Sequence, residues 1–307
     1  MCGIVGCIGK SSNPELTYQL LTNLLIASQV RGKHATGYYL VDENGDEHSF
    51  KSPIPASMFV TTSEWKNVEA LDPKAIIMHA RFKTRGSETD SNNNHPHISK
   101  TKNIALVHNG SLYDSQQYRK DYHLLGETDS ELILKIILKA NNVISGIQEV
   151  FKLFGKSGDF ACEVIYRNPV TKKPTFYFFK DSGRPGKVIN LKHGLGQYFF
   201  CSTSGIWAKA YSMLSDEHKA QLPYVTAKNV PSFQIWKISA ETLKIKRTQL
   251  EVPSKRKTKP NSNTYKVLYT VPQIIYTKGK NIYKYAEDQN TYDEKLRMQS
   301  LQEQHKL

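Results

Sequence analysis

The sequence predicts an α+β fold. Apolar segments of strand length recur along most of the chain, bounded by Gly, Pro, Asn and Asp. Helical patterns are few and do not alternate with the strands, which argues against a βαβ-repeating parallel sheet. Of 307 residues, 39% are hydrophobic and 23% charged, enough apolar material for a packed core.

Residues 1–9 read as a buried strand, with Ile4, Val5, Cys7 and Ile8 separated by glycines where backbone packs closely. Residues 11–32 read as a helix. Asn13 is its candidate cap, Pro14 suits its first turn, and Leu16, Leu20, Leu24 and Leu25 form one stripe; Gly32 is the expected stop. "GYYLVD" and "HSFKS" flank Asn44-Gly45, a hairpin signal. "AIIMHARF" and "NIALVHNG" are two further strands. The polar stretch between them, residues 83–102, is long for a connection and therefore a candidate functional loop. "ETDSELILKIILKA" reads as a helix opened by a Thr128–Glu131 capping box. "DFACEVIYR", "TFYFFKD", "QYFFCST" and "SFQIWKIS" read as strands, and "SGIWAKAYSML" as a helix.

After Leu250 the character changes. "PSKRKTKPNSN" reads as a basic linker, followed by a tyrosine-rich, weakly strand-like segment and a short polar helix. The expected division is a domain over 1–250 and a basic extension over 251–307. No apolar run approaches the roughly 20 residues that span a bilayer, and no basic leader precedes the N-terminal apolar stretch. The cysteines Cys2, Cys7, Cys162 and Cys201 form no CxxC pair, which points to free thiols in a reducing, cytoplasmic setting. His95 and His97 are the one close histidine pair and lack companions at ligand spacing, so no metal is expected. The formal charge of +14 fits solubility, or an acidic or nucleic-acid partner, though no nucleic-acid motif accompanies it.

Cys2 stands directly behind Met1. Removal of that methionine leaves a cysteine with its own α-amino group, whose ordinary pKa near 7.7–8.0 suits a base for the thiol. The competing reading is a cysteine that merely opens a buried strand. Further segments favour the first. "CGIVG", "RGKHATGYYL", "HARFKTRGSETDSNNNHPH", "VHNGSLYD" and "GETDSELI" follow one another in an order that resembles the class II glutamine amidotransferases, members of the N-terminal-nucleophile (Ntn) hydrolases. The resemblance covers residues 2–245.

It implies a four-layer αββα sandwich of two antiparallel sheets, and hydrolysis of the glutamine side-chain amide without a cofactor. Carried onto this sequence, it makes Cys2 the nucleophile and Asn109 and Gly110 the oxyanion donors. Arg81 becomes the partner of the substrate carboxylate and Asp129 that of its ammonium, with Arg31, Gly32 and Phe82 in support. Each role meets a physical need: a guanidinium holds a carboxylate through paired hydrogen bonds, and preorganised N–H donors stabilise an oxyanion. His34, His79, His95, His97 and His108 invite a Cys–His dyad, yet the terminal amine already supplies a base. Phe82 stands where many members carry tryptophan, and Arg85 where many carry histidine, which leaves loop gating open. Residues beyond Leu250 show no phosphate loop or second core, so ammonia is expected to pass to a separate synthase. The alternatives are a standalone hydrolase of a γ-glutamyl or other small amide, and an inactive scaffold binding nucleic acid.

Overall fold

A computed structural model describes residues 1–155, 158–222 and 225–251. The expected extension therefore lies, apart from Glu251, outside the described residues. In chain order the elements are β1 (Gly3–Ile8), α1 (Pro14–Ser28), β2 (Ala35–Val41), β3 (Glu47–Ser52), α2 (Ala56–Phe59), α3 (Ser63–Leu71), β4 (Ala75–Arg81), β5 (His97–Ile98) and β6 (Ile104–Leu112). There follow α4 (Ser130–Lys139), α5 (Val143–Phe154), β7 (Gly158–Arg167), β8 (Pro174–Lys180), β9 (Lys187–Leu191), β10 (Gln197–Cys201), α6 (Ser204–Ser212), α7 (Asp216–Ala220), β11 (Lys228–Asn229), β12 (Gln234–Ser239) and β13 (Ile245–Gln249).

The strands form two antiparallel sheets, ordered β11-β9-β10-β1-β4-β2-β3 and β13-β12-β8-β7-β6-β5. Alternation along each strand builds three apolar layers. Val5, Cys7, Ile76 and Met78 turn outward onto Leu16, Leu20 and Leu24 of α1, Trp65 of α3 and Trp207 of α6. Ile4, Ile8, Ile77, Val107, Ile165 and Phe176 turn inward and fill the space between the sheets. Leu106, Cys162 and Val164 pack on Leu132, Ile136, Ile147 and Phe151 of α4 and α5. The result is the αββα sandwich that the resemblance implied. The sheets meet through aromatic contacts: Phe200 of β10 stacks on Phe176 and Phe178 of β8 at 4.7 and 5.6 Å. Burying such a ring contributes about 1.5–3 kcal/mol. Among the described residues no helix is long and apolar enough to cross a membrane.

Local signals hold at several points. Asn13 caps α1 by accepting from Leu16 N–H at 3.1 Å, with Pro14 in the first turn. The hairpin β2–β3 turns through residues 42–46, with Gly45 at φ +80°. The α1 helix continues into a 3-10 turn over Gln29–Arg31 before Gly32, whose φ of −174° is extended. Gly32 is required by space instead: a Cβ there would lie 2.3 Å from the Arg81 carbonyl carbon and 2.4 Å from Phe82 N.

The Thr128–Glu131 capping box is overturned. Asp129, at helical angles, stands at the N-cap of α4 and its side chain does not cap the helix. Glu131 turns back instead and accepts from Leu125 N–H and Gly126 N–H, both at 2.9 Å. Two backbone donors of the preceding turn outcompete the single donor a capping box would offer.

Candidate active site

The site begins where β1 of one sheet and β6 of the other converge. Gly3 of β1 pairs with Ala80 of β4, which brings Cys2 beside the end of β4. The Cys2 sulfur rests on the Phe82 backbone, accepting from Phe82 N–H at 3.4 Å and lying 3.7 Å from its carbonyl oxygen. Arg31 Nε–H donates to the Cys2 carbonyl at 2.8 Å. Gly32 presses on Arg81 and Phe82, and His34 N–H donates to the Arg81 carbonyl. Arg31, Gly32 and Phe82 thus fix the cysteine's backbone and sulfur. The Phe82 ring meets His34 edge-on at 5.2 Å.

From the facing sheet comes Asn109. Its Oδ1 accepts from Cys2 N–H at 3.1 Å, while its Nδ2 is buried with no hydrogen-bond partner. A buried, unspent amide donor costs about 1–3 kcal/mol, and Asn109 Nδ2 is thereby left able to donate to a bound group. Gly110 follows at φ +154°. A Cβ there would lie 2.0 Å from the Asp159 carbonyl oxygen, so only glycine fits. The β5 strand pairs with β6 only at Ala105 and Leu106. Past that point the same edge of β6 has no strand partner among the described residues.

Asp129 reaches the same strand end: its Oδ2 accepts from Leu112 N–H at 2.5 Å. Arg81 is 3% exposed, and its guanidinium donates to Asn94 Oδ1 (2.8 Å) and to the Arg85 and Gly86 carbonyls (2.6 and 2.9 Å). It therefore anchors the long loop over residues 83–102, in which Asp90 caps a short 3-10 turn. Its Nε–H and one Nη1–H have no hydrogen-bond partner among the described residues.

Burial pushes the Cys2 thiol above its usual pKa; the Phe82 backbone contact, the N-terminal ammonium, Arg81 and Arg31 pull it down less strongly. The sulfur consequently needs a base. No histidine bonds to it. His79 Nε2–H donates to the His108 carbonyl at 3.1 Å and its ring stacks on His95 at 3.9 Å; burial lowers its pKa to about 3. His108 Nδ1 pairs with Ser130 Oγ at 2.9 Å.

Two residues beside the site escape sequence reading. Asp159 Oδ1 accepts from Ser111 N–H at 3.2 Å, and its Oδ2 pairs with Arg184 Nη2 at 2.9 Å. Their signal in sequence is faint: an acid near the start of a largely apolar strand, and an arginine in a turn.

Residues 16–153 match the family model described as class-II glutamine amidotransferases. The chain carries a class II glutamine amidotransferase domain. Among similar curated proteins is a glutamine–fructose-6-phosphate aminotransferase (isomerizing) of Streptococcus pneumoniae serotype 4, 31% identical over 237 residues, 75% of this chain and 36% of that protein. The Helicobacter pylori J99 enzyme of the same name is 30% identical over 218 residues, 68% of this chain and 33% of its own. The chain thus spans about a third of these relatives. Among solved structures, glutamine phosphoribosylpyrophosphate amidotransferase from B. subtilis aligns with a TM-score of 0.60 at 19% identity, over 81% of this chain and 49% of that one. The fold of the amidotransferase domain is accordingly of the Ntn type.

Proposed function

We propose that the domain hydrolyses the side-chain amide of glutamine through Cys2, made N-terminal by loss of Met1. The observation that carries this reading is the pairing of Cys2 N with Asn109 Oδ1 while Asn109 Nδ2 stays buried and unspent. One asparagine would orient the α-amine through its oxygen and offer its nitrogen to an oxyanion. The free amine takes the thiol proton that burial makes hard to lose. The sulfur attacks the amide carbon, and charge builds on the amide oxygen between Asn109 Nδ2 and Gly110 N–H. The C–N bond breaks, the amine's proton leaves with ammonia, and water hydrolyses the thioester to glutamate. Arg81, through its remaining N–H groups, is the proposed partner of the substrate carboxylate, and Asp129 that of the ammonium. The aminotransferase relatives are named for an amino acceptor. By analogy the ammonia passes to a synthase partner; co-purification with such an enzyme tests this.

Treatment with a glutamine-analogue alkylator followed by mass spectrometry tests the chemistry. The expected product lacks Met1 and is labelled on Cys2. Cys2→Ala should abolish glutamate release, and Asn109→Ala should lower kcat about 10²–10³-fold. Retained Met1 with undiminished turnover in Cys2→Ala would sink the mechanism.

A further inference from the structure

A second cavity, of about 420 Å³, opens between the turn that follows β8 and the residues around β11. Its polar lining is made of Lys180, Ser182, Arg184, Asn229 and Ser232, and no carboxylate is among the described residues that line it. The donors are incompletely spent. Lys180 is 6% exposed; its ammonium donates to the Asp181 carbonyl and to Ser232 Oγ (2.7 Å), which leaves one proton unassigned. Arg184 Nε–H is buried without a partner, because the guanidinium reaches Asp159 through Nη2. Asn229 Oδ1 accepts from Lys187, which leaves its Nδ2–H₂ without a hydrogen-bond acceptor among the described residues. Two acids adjoin the lining: Asp159 is paired with Arg184 Nη2, and Asp181 Oδ1 accepts from Gly183 N–H.

The Lys180 ammonium hydrogen-bonds only a carbonyl and a hydroxyl, with the Asp181 carboxylate acting on it without a direct bond. Burying it so is unfavourable, and a bound anion would offset the cost. A lining of cations, hydroxyls and an amide, all able to donate, matches the three acceptor oxygens of a phosphoryl group. We propose that this cavity binds the phosphoryl group of a small molecule. Nothing in glutamine hydrolysis requires such a site. Arg184 nevertheless links it to the hydrolytic centre, since its partner Asp159 holds the N–H next to Gly110.

Isothermal titration calorimetry of the full chain at fixed ionic strength, with inorganic phosphate, glucose 6-phosphate and glucose, tests the site. Saturable binding of a phosphoryl ligand and none of glucose is expected. Tighter binding of the ester would mark a phosphorylated metabolite as the ligand, and tighter binding of inorganic phosphate the free ion. Lys180→Met and Arg184→Gln should each weaken binding about tenfold or more. Ser232→Asp, which keeps Lys180 and adds a like charge to the ligand, should abolish it. Cys2→Ser, which removes the proposed hydrolysis, should bind as the parent does, so the two readings fail separately. Absence of saturable binding for both phosphoryl ligands, or binding unchanged across the three cavity variants, overturns the proposal.

Discussion

Glu163 faces the inter-sheet core in an unfavourable position for an ionisable side chain. It is fully buried, both carboxyl oxygens lack partners, and it projects toward Gly6, where a Cβ would lie 2.7 Å from its Oε2. Burial drives its pKa well above the ordinary 4.5. The sign follows from linkage: below the unfolded value both states hold the proton, and as pH rises the unfolded state loses it first, so the folded state loses stability. Glu163→Leu should therefore stabilise the protein by about 1–3 kcal/mol. The gain should be larger at pH 7 than at pH 5.5, as read by urea denaturation. A destabilised variant, or a gain that does not change with pH, would show that Glu163 has a partner in solution. Of the proposed catalytic groups, Cys2 and Asn109 are legible in sequence only together. Neither a cysteine in a strand nor an Asn-Gly step is informative alone; the ordered segments around them single them out, and the sheets then place Cys2 N 3.1 Å from Asn109 Oδ1.

Elements were readable where local and tertiary forces agree. The α1 helix shows cap, first-turn proline and leucine stripe, and all three are realised. The α5 helix, between the Ser130 helix and β7, was passed over although Asn142 and Ser145 form a reciprocal cap and Val143, Ile147, Val150, Phe151 and Phe154 line one face. Its signal merged with the preceding apolar run, for only a short turn separates the two. The start of α4 was misread because a capping-box pattern names two residues but not their competitors. Glu131 satisfies two N–H groups from the turn ahead of the helix, and Thr128 Oγ1 lies at the 3.5 Å limit from His97 Nε2. Glu131→Ala should consequently cost about 1–3 kcal/mol, whereas Thr128→Val should cost under about 0.5 kcal/mol. Chemical denaturation of the two variants compares them directly. Equal losses would restore the capping box.

Across the whole molecule, four buried histidines gather where β4, β6 and the loop to β5 meet: His79, His95, His97 and His108 are 1%, 4%, 5% and 2% exposed. Burial is the main cause that lowers each pKa. Neighbouring histidines add to it at His95, Lys51 adds to it at His97, and Asp129 opposes it at His108. The folded state holds these rings neutral, while the unfolded chain protonates them near the ordinary 6.5. Their contribution is complete above that value and drains away as pH falls toward the folded pKa values. His79, neutral throughout this range, costs about 1 kcal/mol between about pH 7 and 5.5, and the other three rings act in the same direction. Glu163 works the other way, since its unfolded form must take up the proton to fold. A net loss of stability is expected, seen as a fall in Tm. The Glu163→Leu protein lacks the opposing group, so its loss over that interval should be steeper. Melting curves of both proteins across this range decide the matter: a Tm that stays level from pH 7 to 5.5 would mean that the histidine layer takes up protons without unfolding.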